Sequence, residues 1–233
     1  MPRVVSIIVI VLLLLVAAAL VAVGWIMSNR FLVPAPYGLQ PEFEIVDVAR
    51  AGEERYRVRL PVSEEPAQFQ DVRIEGDYGL LWEGGHGRLG PVVEDAGTTV
   101  VREVRDVIGE APAAGAPARV DVTVYRGDPL VAHGFEFEEL ELQGEAGRLY
   151  AWWIDTGARR AVLQLHGRRR ADRSETLRAL PTLVDSGYSV MSLAYRNHDR
   201  SDPSPDGYFH YGQSEYEDAL VALAELRERG VEQ

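Results

Sequence analysis

The chain has 233 residues, 46% of them hydrophobic, enough for one sizeable core or two small ones. It has no cysteine, which excludes disulfides, thiolate metal sites and a cysteine nucleophile. A formal net charge of −12 argues against a nucleic-acid partner, because phosphate binding needs a basic face; all 24 basic residues are Arg.

Val4 to Met27 is apolar apart from Ser6 and Gly24 and carries no charge. As a helix it would be about 36 Å long, enough to cross a hydrocarbon core of about 30 Å with some tilt. A cleaved signal peptide is the rival reading, with small residues in "AAALVAVG". Its apolar region usually runs only about 7–15 residues, which favours an uncleaved anchor in the lipid bilayer. Arg3 and the terminal amine on one side face only Arg30 on the other. That balance predicts a single-pass cell-membrane protein with its amino terminus inside and its soluble domain extracytoplasmic.

The chain then divides into an anchor over 1–27, a stalk linker over 28–42 containing Pro34, Pro36 and Pro41, a β-rich subdomain over 43–134 and a further domain over 135–233. In the β-rich part "RYRVRL" alternates Arg55, Arg57 and Arg59 with Tyr56, Val58 and Leu60, and Val120, Val122 and Val124 share a face, as half-buried strands do. "GHGRLG", Gly85 to Gly90, has dinucleotide-loop spacing, but Pro91-Val92-Val93 follow where a helix N-terminus is needed, so glycines of turns between strands explain it better and no cofactor is expected.

After Phe135 the pattern becomes "FEFEELEL", pairing as a hairpin with Leu149 to Ile154, then the apolar run "RAVLQL". A helix is expected over Asp172 to Ser186, kinked at Pro181, and a buried strand over Tyr188 to Tyr195. A last helix runs from Ser214 to Arg229, with Ser214 and Glu217 as a capping box and Tyr216, Leu220, Leu223 and Leu226 as its buried stripe. This alternation predicts an α/β, mostly parallel sheet with helices on both faces. Glu136, Glu138, Glu139 and Glu141 read as a solvated face. His198, Asp199 and Asp202 read as a solvated turn rather than a metal site.

"VLQLHGRRRADRSETLRALPTLVDSGYSVMSLAYRN" followed by "SPDGYFHYGQSEYEDALVAL" resembles the α/β-hydrolase family, in its serine aminopeptidase or dipeptidyl-aminopeptidase-like branch, over about Glu136 to Gln233. A weaker likeness to membrane-anchored bacterial members extends through "YGLLWEGGHGRLG". The resemblance implies the first half of that family's sheet and a role for the turn after "VLQLHG". There the backbone N–H groups of Gly167, Arg168 and Arg169 are oxyanion-hole candidates, and His166, Tyr195, Arg196 and Asn197 lie beside the site. Arg169 stands where relatives carry a second glycine. The arginines serve either as a solvated loop or as partners for a substrate carboxylate.

The family's Gly-x-Ser-x-Gly elbow does not occur. "GQSEY" lacks its second glycine, and the capping box accounts for Ser214. The strand Ala161 to Leu165 would keep an unpaired apolar edge. The expectation is therefore the front portion of a membrane-anchored serine hydrolase for a small ester or peptide, inactive as given, with nucleophile, acid and base downstream. The alternative is a non-catalytic extracytoplasmic interaction or scaffold protein with a degenerate hydrolase fold.

Overall fold

A computed structural model describes residues 2–34, 39–63, 71–167 and 172–232. Helix α1 spans Pro2–Leu32, past Met27 and into the expected stalk, and stops just before Pro34, which disfavours helical backbone in the residue ahead of it. From Val5 to Leu32 it is long and apolar enough to cross a membrane, with none of that stretch buried against the protein. Apolar side chains cover all its sides, the pattern of a helix meant for an apolar surrounding. Pro36 lies outside the described residues.

Seven strands follow: β1 (Phe43–Glu44), β2 (Asp47–Arg50), β3 (Tyr56–Pro61), β4 (Tyr78–Trp82), β5 (Gly85–Asp95), β6 (Thr99–Gly109) and β7 (Pro117–Asp121). They form one antiparallel sheet in the order β1-β7-β4-β5-β6-β3-β2. Alternate residues Val58, Leu60, Leu80, Trp82, Val104 and Val120 fill its core. The "GHGRLG" glycines lie inside β5 rather than in turns. A Cβ on Gly85 would come within 2.5 Å of both the Trp82 indole and the Glu110 carbonyl, so close packing requires glycine there. Arg102 on β6 is fully buried. Its guanidinium donates to the carbonyls of Gly90 (2.7 Å), Val72 (3.1 Å), Ile74 (2.9 Å) and Gly76 (3.1 Å), pinning the segment before β4 to the sheet.

After the short helix α2 (Pro129–His133) come β8 (Glu138–Gln143), β9 (Arg148–Ile154) and β10 (Ala161–Leu165), a 3-10 turn over Arg173–Arg178, α3 (Leu180–Asp185), β11 (Ser189–Ala194) and α4 (Glu215–Glu228). The helix expected over Asp172 to Ser186 is thus split just ahead of Pro181, whose missing N–H suits the first turn of α3. The second sheet has the order β10-β11-β9-β8. Leu140, Leu142, Leu149, Ala151 and Trp153 face α4, whereas Trp152, Ile154 and Val190 face the 3-10 turn and α3.

This corrects the mostly parallel α/β sheet expected from the alternation. Sheet one is antiparallel throughout, and in sheet two only β10–β11 is parallel, while β8–β9 and β9–β11 are antiparallel. The physical reason is connectivity. A four-residue turn between β8 and β9 permits only a hairpin, and only β10 to β11 has the long crossover that parallel pairing requires.

Polar contacts join the segment after β7 to the 3-10 turn of the second half. Arg126 pairs with Asp172 (3.2 Å), and Nε2 of His133 donates to the Leu177 carbonyl (2.8 Å). The acidic strand residues Glu136, Glu138, Glu139 and Glu141 are exposed, as the sequence suggests, and three of them also have partners. Glu139 pairs with the buried Arg173 (2.9 Å), Glu138 with Arg229 (2.7 Å), and Glu141 accepts from the Tyr150 hydroxyl (3.0 Å).

Replacing Arg102 with Met would leave several buried carbonyls unpaired, costing roughly 3 kcal/mol. The expected outcome for the full chain in mild detergent is a melting temperature lower by about 6–12 °C, measured by circular dichroism.

Candidate functional site

Parallel pairing sets Leu165 of β10 opposite Leu193 of β11. Both strands therefore leave the sheet at the same end, and His166-Gly167 emerges beside Tyr195-Arg196-Asn197. The His166 and Tyr195 rings stack with centroids 4.5 Å apart, His198 meets both edge-on, and Phe209 lies 5.0 Å from His198. The Tyr195 hydroxyl donates to the His166 carbonyl (3.2 Å). Of the expected oxyanion donors, Gly167 already donates its N–H to the exposed carboxylate of Glu175 (2.5 Å); Arg168 and Arg169 lie outside the described residues.

His166 is 6% exposed. Burial, with the neighbouring His198 adding to it, pushes its pKa down to about 4, so the ring is neutral at pH 7. Nδ1 lies 2.8 Å from the Gly167 carbonyl, which can only accept, so Nδ1 carries the proton. Nε2 is then a lone pair, and it has no hydrogen-bond partner among the described residues.

The residues after Tyr195 are structural supports for this end of the sheet. Arg196 is buried and grips Asp218 of α4 through Nε (3.0 Å) and Nη2 (2.7 Å), while its backbone N–H donates to the same carboxylate (2.9 Å). Asp218 is fully buried, and its hydrogen bonds are the main cause of the raised Arg196 pKa. Asn197 adopts φ 68°, left-handed backbone that Asn tolerates well. Its amide donates to Ser204 Oγ (3.1 Å) and the Tyr208 carbonyl (3.0 Å), which shapes the loop leading to Phe209.

Between β10 and α4 lies a pocket of about 480 Å³. Leu165, His166, Tyr195, Phe209, Tyr211 and Tyr216 line much of it. Sequence reasoning placed Tyr216 in the buried stripe of α4 and did not single out Phe209 and Tyr211. The signal was the run of aromatics in "GYFHYG" just ahead of α4. Helix α4 departs from its expected stripe at three of four positions: Leu226 is buried as expected, together with Asp218 and Ala222, while Tyr216, Leu220 and Leu223 are exposed. The stripe at positions 216, 220 and 223 was read as core because apolar spacing shows that a face is apolar, not what covers it.

Ser214 also departs from expectation. It occupies the N-cap position, yet its hydroxyl makes no capping bond, and the Glu217 side chain goes to Arg196 (3.2 Å), so no capping box forms. Ser214 Oγ instead lies 2.6 Å from His210 Nδ1, and His210 Nε2 lies 2.9 Å from Asp206. The chain Ser-His-Asp has the chemical types of a nucleophilic triad, but the backbone donors nearest to it among the described residues are already engaged. The nearby N–H groups of His210 and Gly212 both donate to Glu215, each at 2.7 Å. Burial would raise the Glu215 pKa, but the N–H groups of His210, Glu215, Gly212 and Ser214 outweigh it and hold it below the ordinary carboxylate value. A second negative oxygen beside that carboxylate would be repelled. Asp199 and Asp202 are engaged by Arg173 (2.8 Å) and Arg148 (3.4 Å), and among the described residues no group of three His, Asp or Glu side chains is placed to hold a metal ion.

Residues 47–121, which include β2 to β7, match a family described as a domain of unknown function, DUF8805. No curated protein matches the chain. Among solved structures, an esterase from Pyrococcus furiosus is similar at 28% identity with a TM-score of 0.34; the match covers 40% of this chain and 34% of the esterase.

Two outcomes are expected. Asp218→Ala strands the buried Arg196 guanidinium and should destabilise the fold by roughly 3 kcal/mol, seen as a lower melting temperature with Arg196→Lys affected less. Stability should also fall as pH drops from about 6.5 to about 4, because the unfolded chain binds a proton there that folded His166 refuses. The His166 contribution is about 3 kcal/mol, and a His166→Phe variant should show a correspondingly shallower pH dependence in the same melts.

Proposed function

We propose that residues 135–233 are the substrate-side part of a serine-type hydrolase for an ester or amide, carried on a membrane anchor at Val4 to Met27 with the soluble part extracytoplasmic. The observation that carries this reading is the parallel β10–β11 pair, which sets the strand-His166-Gly167 turn beside Tyr195 and next to an apolar pocket. A glycine there lets backbone N–H groups approach a tetrahedral intermediate closely, the geometry acyl transfer needs. Gly167, Arg168 and Arg169 are the proposed donors. Glu175 now takes the Gly167 N–H, and as an exposed side chain it can swing away when a substrate oxygen arrives.

These 233 residues hold no Gly-x-Ser-x-Gly elbow, and Glu215 leaves Ser214 without an oxyanion site. The chain by itself is therefore read as binding without turnover. One observation favours the second reading, a non-catalytic interaction protein: a carboxylate already fills the place where an oxyanion donor would act.

A tetrahedral anion separates the two. A methyl alkylphosphonate should bind the full chain in detergent and shift the Gly167 amide resonance. Glu175→Ala, which removes a competing negative acceptor, should tighten that binding roughly tenfold, about 1.4 kcal/mol. No binding to either protein would leave the interaction reading standing. Fluorophosphonate should label neither wild type nor Ser214→Ala; specific labelling of Ser214 would show that Glu215 does not block an oxyanion.

A further inference from the structure

We infer that Tyr195 is a positioning residue for the Gly167 N–H: its hydroxyl grips the carbonyl end of the same peptide unit, and so aims and strengthens that donor. This deepens the oxyanion reading above and rests on it.

A trans peptide unit carries its carbonyl and its N–H on opposite sides of one plane. In the unit joining His166 to Gly167 both ends are engaged. The Tyr195 hydroxyl donates to the His166 carbonyl (3.2 Å), and the Gly167 N–H donates to Glu175 (2.5 Å). Holding the carbonyl fixes the plane, and with it the direction in which the N–H points. It also draws electron density toward the carbonyl oxygen, which makes the N–H at the other end a better donor. Glycine needs such restraint, because without a Cβ its backbone is free to turn. The carbonyl of Gly167 is held as well, by the protonated Nδ1 of His166 (2.8 Å).

Tyr195 reaches the turn from a fixed base. The carbonyl before it, that of Ala194, accepts from Ser201 Oγ (2.6 Å). The N–H after it, that of Arg196, donates to the buried carboxylate of Asp218 (2.9 Å). Its ring stacks on His166 at an interplanar angle of 11°, and His198 packs edge-on against it with centroids 4.5 Å apart. Glu175, by contrast, is an exposed side chain arriving from the 3-10 turn. When an external oxygen replaces that carboxylate, the grip on the carbonyl end remains.

The test reads this peptide unit directly. His-Gly pairs occur at three places, Gly87, Gly134 and Gly167, so carbon-13 at histidine carbonyls with nitrogen-15 in glycine selects three amide signals from the full chain in detergent. Tyr195→Phe keeps the stacked ring and removes the hydroxyl. With no anion present, it should move both the His166 carbonyl carbon and the Gly167 amide proton upfield, and leave the Gly87 and Gly134 signals in place. A fluorotyrosine at position 195, whose more acidic hydroxyl donates more strongly, should move both downfield. A carbonyl that stays still in Tyr195→Phe, or one that moves while the Gly167 proton does not, would overturn the inference. If the Gly87 and Gly134 signals also move, Tyr195→Phe has disturbed the fold and the fluorotyrosine chain decides, its unmoved signals counting against the inference. Methyl alkylphosphonate should bind Tyr195→Phe roughly fivefold more weakly than wild type, and equal affinity would overturn the inference. If neither wild type nor Glu175→Ala binds the phosphonate, the oxyanion reading fails, while the shifts in the free chain still report on Tyr195.

Discussion

The buried ion pair between Arg196 and Asp218 holds the functional end of the second sheet together. Arg196 is the second residue after β11, and Asp218 sits in the first turn of α4. Both are withdrawn from water, and the guanidinium and the Arg196 N–H all converge on one carboxylate. Without it, α4 would have only a narrow apolar strip, mainly Ala222 and Leu226, to keep it on the sheet. The pair therefore holds the start of α4 against the segment that leaves β11, beside the pocket lined by Tyr195 and Tyr216. A charge pair so deeply buried is a poor source of net stability compared with apolar packing, but it tolerates little displacement, and it fixes position where shape alone would not.

Carboxylates govern the chemistry around that pocket in a second way. Glu175 holds the Gly167 N–H and Glu215 holds those of His210 and Gly212. Each is an internal anion bound where backbone donors are exposed. The two differ in how tightly they are committed. Glu215 is gripped by several N–H groups at the start of a helix, where negative charge is favoured. Glu175 is exposed and makes a single contact to the turn. That asymmetry is why the proposed oxyanion site is the His166-Gly167 turn and not Ser214.

Much of the strand pattern was legible in the sequence. Alternation in "RYRVRL" and "FEFEELEL", and the long apolar run of β9, follow from side chains pointing to opposite faces of a sheet. The mostly parallel sheet was not legible. Alternating strands and helices suggest βαβ units, but direction is set by connection length and by which strands become neighbours, and here a hairpin and an antiparallel neighbour outnumber the one crossover. Tyr216, Leu220 and Leu223 of the α4 stripe are exposed for a related reason, although Leu226 is buried as expected. Apolar spacing predicts a face, yet Asp218 on another face is the group that is fully buried, because Arg196 is there to receive it. The capping box failed because Ser214 and Glu217 each found a better partner elsewhere, His210 and Arg196.

The sequence by itself determined the apolar first helix, the alternating strands such as β3 and β8, and the His-Gly that follows β10, because these depend on local hydrophobic period and on residues with unusual backbone freedom, whereas the glycines of β5 read as turns. It also shows which groups these 233 residues lack: there is no Cys and no Gly-x-Ser-x-Gly. Only the tertiary structure decided which groups meet. That His166 is buried with Nε2 unpartnered among the described residues, that Tyr211 reaches the carbonyl of Phe31, and that Glu215 takes the N–H groups of His210 and Gly212 are matters of direction and distance. Such contacts depend on how the sheet end, the loop and α4 are held against one another, and a linear pattern carries no record of that arrangement.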